Sequence, residues 1–411
     1  MKVMIDGSSA HDIRLVRQRV RSTTSLRRRV AAVLLLLTGA VVAAVCTLVA
    51  QPGASAAAGP QAFFMVQLSD PQFGLEHNNL RWQEEQAMLN ESILQINRLA
   101  PRFVVLTGDM QNCKSDMQHC NGGQGAMQVT AVKNSMSNLD PLIGVRTTIP
   151  GNHDIGDAPS RASLDVYTHN WGADRSSFDE GAWLRFIALD ASLYFNASHP
   201  GMQARADEQT QWLSAQLDDA ASLGAIGTVV LSHIPPFIVS AEEAGGWANW
   251  PRETREHVLQ LTQQKLLPPS LFICGHFHAN VEGVSSAAFG SRVEVVTTSA
   301  VGSPIQWNGT TTSTLPHAQA STIATVSSGA QVFQEYVLRN GGGGTADARR
   351  IAERVQAVPT RSGVRIFEFD LTSGYRHQWF TLEQMTTLQP LVVGEASPLA
   401  GKSFTRWAQR N

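Results

Sequence analysis

Five apolar runs that each stop at polar, metal-competent residues constrain this chain more than any other feature. Such runs predict buried strands, and in an open α/β sheet the functional side chains collect at the carboxyl ends of the strands. The runs and the motifs that end them are Phe63 to Leu68 with Ser69-Asp70-Pro71-Gln72, Phe103 to Thr107 with Gly108-Asp109, Val145 to Pro150 with Gly151-Asn152-His153-Asp154, Thr228 to Leu231 with Ser232-His233, and Leu271 to Cys274 with Gly275-His276-Phe277-His278. We therefore expect five strand ends to share one metal site.

Helical patterns alternate with these strands, which predicts an α/β class with a β-rich closing part. The helices are expected at Leu80 to Leu99, Val129 to Leu139, Ala206 to Leu223 and Arg252 to Leu266. Four further strands are expected at Trp183 to Leu189, Arg292 to Thr298, Val364 to Asp370 and Tyr375 to Leu382. The Ser/Thr/Gly-rich stretch 303–362 is predicted to be a long surface insertion. The domain that contains it is placed at 61–385, and a C-terminal tail follows at 386–411.

The N-terminal part is predicted to export this body. Residues 1–29 are basic, and 30–50 carry no charge and are long enough to cross a bilayer as one hydrophobic helix. The small residues of the linker at 51–60 also allow a cleaved signal peptide, although the apolar run exceeds the usual length. We favour a signal anchor, which gives a single-pass membrane protein with a luminal or extracellular catalytic domain; cleavage would give a secreted one.

Two weaker features agree with export. Glycosylation sequons occur at Asn90, Asn196 and Asn308. Cys113 and Cys120 flank a polar loop and could pair in an oxidising compartment, whereas in the cytosol they would be free thiols. Spacing alone leaves both readings open.

The charge balance excludes nucleic acid as a partner. After residue 30 the chain has 24 basic and 32 acidic residues, a net charge of −8. Its substrate can still be anionic, because metal ions supply local positive charge.

The strand-end residues suit phosphate ester hydrolysis. A phosphate ester repels nucleophiles by its own charge, and two metal ions about 3.5–4 Å apart overcome this by clamping the attacking and leaving oxygens. Such a pair needs hard oxygen ligands, imidazoles and a carboxylate that can bridge. Asp, Asn, Gln and His side chains at the five strand ends supply that set.

The ordered set of five motifs resembles the calcineurin-like metallophosphoesterase superfamily. The residues in and around these motifs resemble those of the calcineurin-like phosphoesterase domain-containing protein 1 group, whose members are described as Ser/Thr phosphatases. The resemblance implies a four-layer α/β/β/α sandwich. It also implies two divalent ions, the first held by Asp70, Gln72, Asp109 and His278, the second by Asp109, Asn152, His233 and His276.

Two expectations follow from the resemblance, and a third follows from the residues after His233. Because Gln72 stands where most members have His, the first site should favour Mn²⁺, Mg²⁺ or Fe, with Zn²⁺ possible. His153 is expected to protonate the leaving oxygen, with Asp154 orienting it. The segment Val239 to Trp250 is expected to be either a flap whose tryptophans contact substrate or ordinary core.

The sequence thus predicts a dinuclear phosphomonoesterase acting on phosphorylated proteins or small phosphoesters. One alternative is a phosphodiesterase or nucleotide pyrophosphatase of the ADP-ribose or CDP-alcohol type, since the Asp-X-Gln motif resembles theirs. The other is an inactive membrane-tethered scaffold on the same fold. The sequence does not indicate an oligomeric state.

Overall fold

A computed structural model describes residues 61–114, 120, 123–285, 292–302, 362–390 and 397–407. The predicted apolar helix at 30–50, the linker at 51–60 and nearly all of the insertion at 303–362 lie outside these residues. Among the helices of the described ranges, none is long and apolar enough to cross a membrane.

The described strands form two mixed sheets. The strands are β1 Ala62–Leu68, β2 Val104–Leu106, β3 Val145–Thr148, β4 Ser176–Glu180, β5 Leu184–Leu189, β6 Gly227–Ser232, β7 Leu271–Cys274, β8 Val281–Val284, β9 Glu294–Thr297, β10 Gly363–Asp370 and β11 Gly374–Thr381. The first sheet has the order β11-β10-β1-β2-β3, and the second has the order β4-β5-β6-β7-β9-β8. Strands β1 to β3 are parallel to each other, as are β5, β6, β7 and β9. The remaining strands pair antiparallel at the sheet ends.

Eight helices are described, and most of them lie between successive parallel strands. They are α1 Gln83–Leu99, α2 Gln124–Met136, α3 Asn152–Ile155, α4 Arg161–Trp171, α5 Ala191–Phe195, α6 Met202–Ser222, α7 Arg252–Gln263 and α8 Leu382–Thr387. The end of α1 shows why these helices stop where they do. Ala100 adopts a left-handed φ of 52° and its N–H closes on the carbonyl of Ile96, and Pro101 follows.

Apolar residues on both faces of the strands explain why the strand sequences read as continuous runs. On β1, Phe63 and Met65 belong to a cluster that joins both sheets, whereas Phe64 and Val66 belong to a cluster with α1. The second sheet repeats this on β6, where Val229 packs toward the other sheet. The outer face of the second sheet packs against α6 and α7, through Leu213, Leu217, Val258 and Leu259. The predicted mixed α/β fold is confirmed, with two sheets.

The predicted strands recur within two residues of their expected ends, and the four predicted helices recur with shifted ends. The sequence missed short or polar elements, namely β4, β8, α3, α4, α5 and α8. Strand β4 has the sequence Ser-Ser-Phe-Asp-Glu and is an edge strand with one apolar residue, so it carries no run to recognise.

The structure defines two segments that the sequence left open. Cys113 and Cys120, for which pairing was open, form a disulfide. Within the tail at 386–411, Trp407 stacks on Phe369 and donates its Nε1–H to the carbonyl of Asp370 at 3.0 Å. The described part of that tail therefore packs on the sheets.

Candidate metal centre

The seven predicted ligand residues follow strands of both sheets. Asp70 and Gln72 follow β1, Asp109 follows β2 and Asn152 begins α3 after β3, all at one end of the first sheet. From the second sheet, His233 follows β6, and His276 and His278 follow β7. The backbone N–H of His276 lies 3.1 and 3.2 Å from the two carboxylate oxygens of Asp70, so the loops of the two sheets meet directly.

The side chains converge as two groups that share one carboxylate. Ligand atoms of Asp70, Asp109 and His278 lie within 4.8 Å of one another, and so do those of Asp109, His233 and His276. His278 Nε2 is 3.4 Å from Asp70 Oδ1, and His233 Nε2 is 3.3 Å from Asp109 Oδ2. Asp109 is thus the one residue common to both groups.

Backbone carbonyls orient the imidazoles of the second group. His233 Nδ1 lies 2.7 Å from the carbonyl of Thr107, and His276 Nε2 lies 2.7 Å from that of Trp247. A carbonyl only accepts, so each of these nitrogens carries a proton, and the other ring nitrogen is the one left to bind a cation. Those nitrogens, Nε2 of His233 and Nδ1 of His276, lie 3.2 and 2.9 Å from Oδ1 of Asn152. Three potential metal-ligand atoms, Oδ1 of Asn152, Nε2 of His233 and Nδ1 of His276, therefore lie next to each other.

Two residues predicted as ligands of the first ion, Gln72 and His278, have buried side-chain atoms without a hydrogen-bond partner. Gln72 is 3% exposed, and its Nε2 lies 3.4 Å from Asn112 Oδ1, but its Oε1 is buried without a hydrogen-bond partner. Nδ1 of the buried His278 also lacks a partner. Leaving such atoms unpaired costs free energy, and oxygen and imidazole donors are what divalent metals take. The residues present therefore fit a pair of divalent ions.

Left-handed backbone marks the ligand loops. Eight described non-glycine residues have positive φ, and five of them are predicted ligands: Asp70 at 52°, Gln72 at 41°, Asp109 at 52°, His276 at 68° and His278 at 52°. Such conformations are uncommon outside glycine and cluster at functional sites. The fold therefore holds these side chains in place at a cost to the backbone.

Close approach between the loops requires glycine at two positions. A Cβ on Gly151 would lie 2.1 Å from Oδ1 of Asp109, and one on Gly275 would lie 2.6 Å from Oδ2 of Asp70. Either side chain would displace a candidate bridging or terminal carboxylate. The glycines that precede Asn152 and His276 in the motifs are therefore required by packing.

His153 and Asp154 are placed differently from each other. His153 is partly exposed, and its Nδ1 lies 2.8 Å from the carbonyl of Asn112. The Asp154 carboxylate accepts the backbone N–H groups of Asp109, Met110 and Gly151 at 2.8, 3.1 and 2.8 Å. The expectation that Asp154 orients the imidazole was wrong, because its carboxylate is engaged by the Asp109 loop and a carbonyl orients His153 instead.

The buried charges of the centre are coupled. Burial acts to raise the pKa of Asp109, but His233 and His153 outweigh it, so the pKa is lowered. Burial acts to lower the pKa of His233, and the charge of Asp109 raises it to about 9. Burial and the charge of His233 lower the pKa of His276 to about 4. The Asp109 carboxylate and the His233 imidazole therefore favour each other's charged forms.

A buried polar network below the centre ties the two sheets together. Gln67 on β1 donates to Thr107 Oγ1 at 2.8 Å and to the carbonyl of Cys274 at 3.0 Å, and it accepts from Thr298 Oγ1 at 2.6 Å. Arg365 on β10 donates to the same Thr298 oxygen at 3.0 Å. Because Thr107 precedes Asp109 and Cys274 precedes His276, the network fixes both ligand loops relative to each other.

The segment from Val239 to Trp250 places its two tryptophans differently. Trp250 is fully buried, and its Nε1 donates to the carbonyl of Ile234 at 2.9 Å, so it is core. The Trp247 ring is partly exposed and lies 5.5 Å from the ring of His276, centroid to centroid. The buried Glu243 carboxylate accepts three consecutive amides, 238–240. This segment is a fixed wall of the site with one tryptophan at its rim.

Sequence reasoning missed three residues that orient predicted ones: Asn112, Lys114 and Asp157. Asp157 accepts from Asn152 Nδ2 at 2.7 Å, and Lys114 Nζ lies 2.7 Å from Asp157 Oδ1. Asp157 follows the Gly-Asn-His-Asp motif closely in the sequence, and this proximity could have identified it as a candidate. Nothing in the sequence singles out Lys114, which is 43 residues away from its partner.

Comparison with known proteins gives a family match over half of the chain. The model of the family described as Calcineurin-like phosphoesterase matches residues 66–280, which include all seven predicted ligands. Serine/threonine-protein phosphatase CPPED1 of Danio rerio is 28% identical over 58% of this chain and 76% of its own length. The human protein of that name is 28% identical over 62% of this chain and 80% of its own. Among solved structures, a dimetal phosphatase from Danio rerio aligns with 16% identity and a TM-score of 0.44, covering 58% of this chain and 88% of its own.

Proposed function

Since this chain belongs to the calcineurin-like phosphoesterase family and is therefore a metal-dependent phosphoesterase, we propose that its substrates are phosphate monoesters, with phosphoserine and phosphothreonine proteins among them. The observation that carries the proposal is the pair of ligand groups that share Asp109. The phosphatase relatives, each named as acting at serine and threonine, support the substrate class.

The proposed ligands of the first ion are Asp70, Gln72, Asp109 and His278. Those of the second ion are Asp109, Asn152, His233 and His276. When bound, the two ions supply Lewis acidity to the phosphoryl oxygens and activate water as the nucleophile. Mn²⁺, Mg²⁺ or Fe is proposed for the first site, because Gln72 is a harder donor than imidazole.

His153 is proposed to carry the proton for the leaving oxygen. Its Nδ1 faces the carbonyl of Asn112, so that nitrogen is protonated in every state of the ring. Nε2 is then the atom that gains and loses a proton. Because the imidazole is partly exposed at the edge of the site, Nε2 can reach a leaving group that also contacts solvent.

A substrate panel on the full chain tests the proposal. Phosphoserine peptide, p-nitrophenyl phosphate, bis-p-nitrophenyl phosphate and ADP-ribose are each assayed with Mn²⁺, Mg²⁺, Fe²⁺ and Zn²⁺. We expect the highest kcat/KM with the monoesters. Faster turnover of the diester or of ADP-ribose would replace the proposal with a phosphodiesterase or nucleotide pyrophosphatase. Absence of bound metal by elemental analysis, with no turnover, would leave the inactive scaffold.

Three finer expectations stay part of the proposal. The layering of helices and sheets is proposed to be the four-layer α/β/β/α sandwich of the family. The body is proposed to be exported by residues 30–50, either anchored in a membrane or secreted. Two of the sequons, Asn90 and Asn196, are exposed, as glycosylation requires. Protease protection of the body in sealed membrane vesicles would test export, and digestion without detergent would count against a luminal location.

A further inference from the structure

A short polar relay leads from the loop after β2 to the second ligand group. Nδ2 of Asn152 donates to Oδ1 of Asp157 at 2.7 Å. Nζ of Lys114 lies 2.7 and 2.8 Å from the two carboxylate oxygens of Asp157. The Lys114 side chain is 12% exposed and that of Asp157 is 53% exposed. We call these three residues the Asn152 relay.

The relay determines which way the Asn152 amide points. A carboxamide has an oxygen and a nitrogen in nearly equivalent positions, and only the oxygen can bind a cation. When ionised, Asp157 can only accept hydrogen bonds, so it can bond Nδ2 but not Oδ1 of Asn152. With Nδ2 held there, Oδ1 faces Nε2 of His233 and Nδ1 of His276. A flipped amide would direct an NH₂ group at the cation.

Lys114 keeps the half-exposed carboxylate in place. Without a cation beside it, Asp157 could turn to water and release the amide. The segment that carries Lys114 is itself fixed, because Cys113 is bonded to Cys120 and the carbonyl of Asn112 bonds His153. One segment of three residues, 112–114, therefore orients both the proton carrier and, through Asp157, a ligand of the second group.

We propose that Asp157 is a positioning residue that, held by Lys114, fixes the Asn152 amide with Oδ1 toward the second divalent cation. The inference rests on the proposed two-metal function. Residues that orient metal ligands in this way typically contribute about 10- to 100-fold to metal affinity. The effect should be confined to the second ion, because Asn152 is the one predicted ligand that hydrogen-bonds Asp157 among the described residues, and it belongs only to the second set.

Calorimetric titration of the metal-stripped full chain with Mn²⁺ tests this without using activity. In wild-type protein we expect two binding events. Asp157→Ala should weaken one of them about 10- to 100-fold and leave the other within about twofold. Lys114→Met should weaken the same event to a smaller extent. Asp165→Ala is the matched control, since it removes another exposed carboxylate, one that pairs with Arg161.

A second background separates orientation from simple charge attraction. In Asn152→Asp protein either carboxylate oxygen can bind the cation, so the ligand has no wrong orientation. There, Asp157→Ala should no longer weaken binding, and it should strengthen it by removing a like charge. Equal weakening in both backgrounds, or no effect of Asp157→Ala in either, overturns the proposal. If wild-type protein binds no divalent cation, the two-metal function itself fails.

Discussion

Asp109 and Asp190 are both buried carboxylates that follow a parallel strand, yet their surroundings shift the carboxyl pKa in opposite directions. Asp109 follows β2 and is 1% exposed; Asp190 follows β5 and is 0% exposed. Imidazoles around Asp109 outweigh the effect of burial and lower its pKa. Around Asp190, burial and the charge of Asp174 raise the pKa to about 8.

The partners explain the difference. Oδ1 of Asp190 accepts the N–H of Ser192 at 3.0 Å, and Gln209 bonds the backbone N–H and C=O of Asp190, each at 2.9 Å. Asp190 is thus the N-cap of α5 and is predominantly protonated near neutral pH. Asp109 instead remains ionised beside donors that a cation can use. A buried aspartate at a strand end marks a metal site only when its neighbours keep it charged.

The largest effect is expected for Asp109→Asn, which removes the shared carboxylate. Loss of a bridging ligand should remove several kcal/mol of transition-state stabilisation, or at least about a thousandfold in kcat/KM. Elemental analysis should show fewer than two ions per chain. Two bound ions with unchanged turnover would show that Asp109 does not bridge, and its contrast with Asp190 would then be structural only.

His153→Ala should have a large effect that depends on the leaving group. The variant should lose about 100- to 10,000-fold on phosphoserine peptide, whose leaving group must be protonated. The loss on p-nitrophenyl phosphate should be much smaller, because p-nitrophenolate leaves without a proton. Both metals should remain, as measured by elemental analysis. Equal losses on the two substrates would assign His153 to phosphate binding and not to proton transfer.

Much of this site could be predicted from the sequence because its ligands lie in short motifs after strong apolar runs. Strand β7, predicted at Leu271 to Cys274, has those bounds in the structure. The signature of an apolar run followed by aspartate also fits Asp190, so that pattern alone does not distinguish a ligand from a cap. Gly108 supplies the difference, with a φ of 94° that lets the Asp109 loop turn into the site.

The rest depends on contacts between distant residues, which a single sequence does not encode. Lys114 reaches Asp157 across 43 residues, and Arg365 reaches Thr298 across 67. The role expected for Asp154 failed for the same reason, because its acceptors were already engaged by backbone amides of another loop. Local motifs therefore predicted the ligands but not the groups that orient them.

Gln72→His should change metal preference more than rate. Imidazole is a softer donor than a carboxamide oxygen, so the ratio of Zn²⁺-supported to Mn²⁺-supported kcat/KM should rise about tenfold. The unpartnered Oε1 of Gln72 is the atom replaced. Asn112→Ala removes the contact of Gln72 Nε2 but introduces no imidazole, so it should not raise that ratio. An unchanged metal ratio would show that Gln72 does not bind the first ion.

The smallest effect on turnover is expected for Asp190→Asn, with kcat unchanged within about twofold because the residue lies outside the ligand set. The substitution should instead change how the free energy of unfolding depends on pH. The pKa of Asp190 is about 8 in the folded chain, against a usual value of 3.8. Between these values the folded state holds a proton that the unfolded state lacks, so stability falls as pH rises. The contribution is complete below about pH 4 and lost above about pH 8, with a slope of up to about 1.4 kcal/mol per pH unit.

Asp190→Asn cannot ionise, so its free energy of unfolding, measured by urea denaturation at pH 5 to 8, should fall less steeply than that of wild type. Asp165→Asn, on the surface of α4, should leave the slope unchanged. Parallel slopes for Asp190→Asn and wild type would mean that Asp190 is ionised in the folded chain. The two buried aspartates would then have the same charge, and the contrast between them would fail.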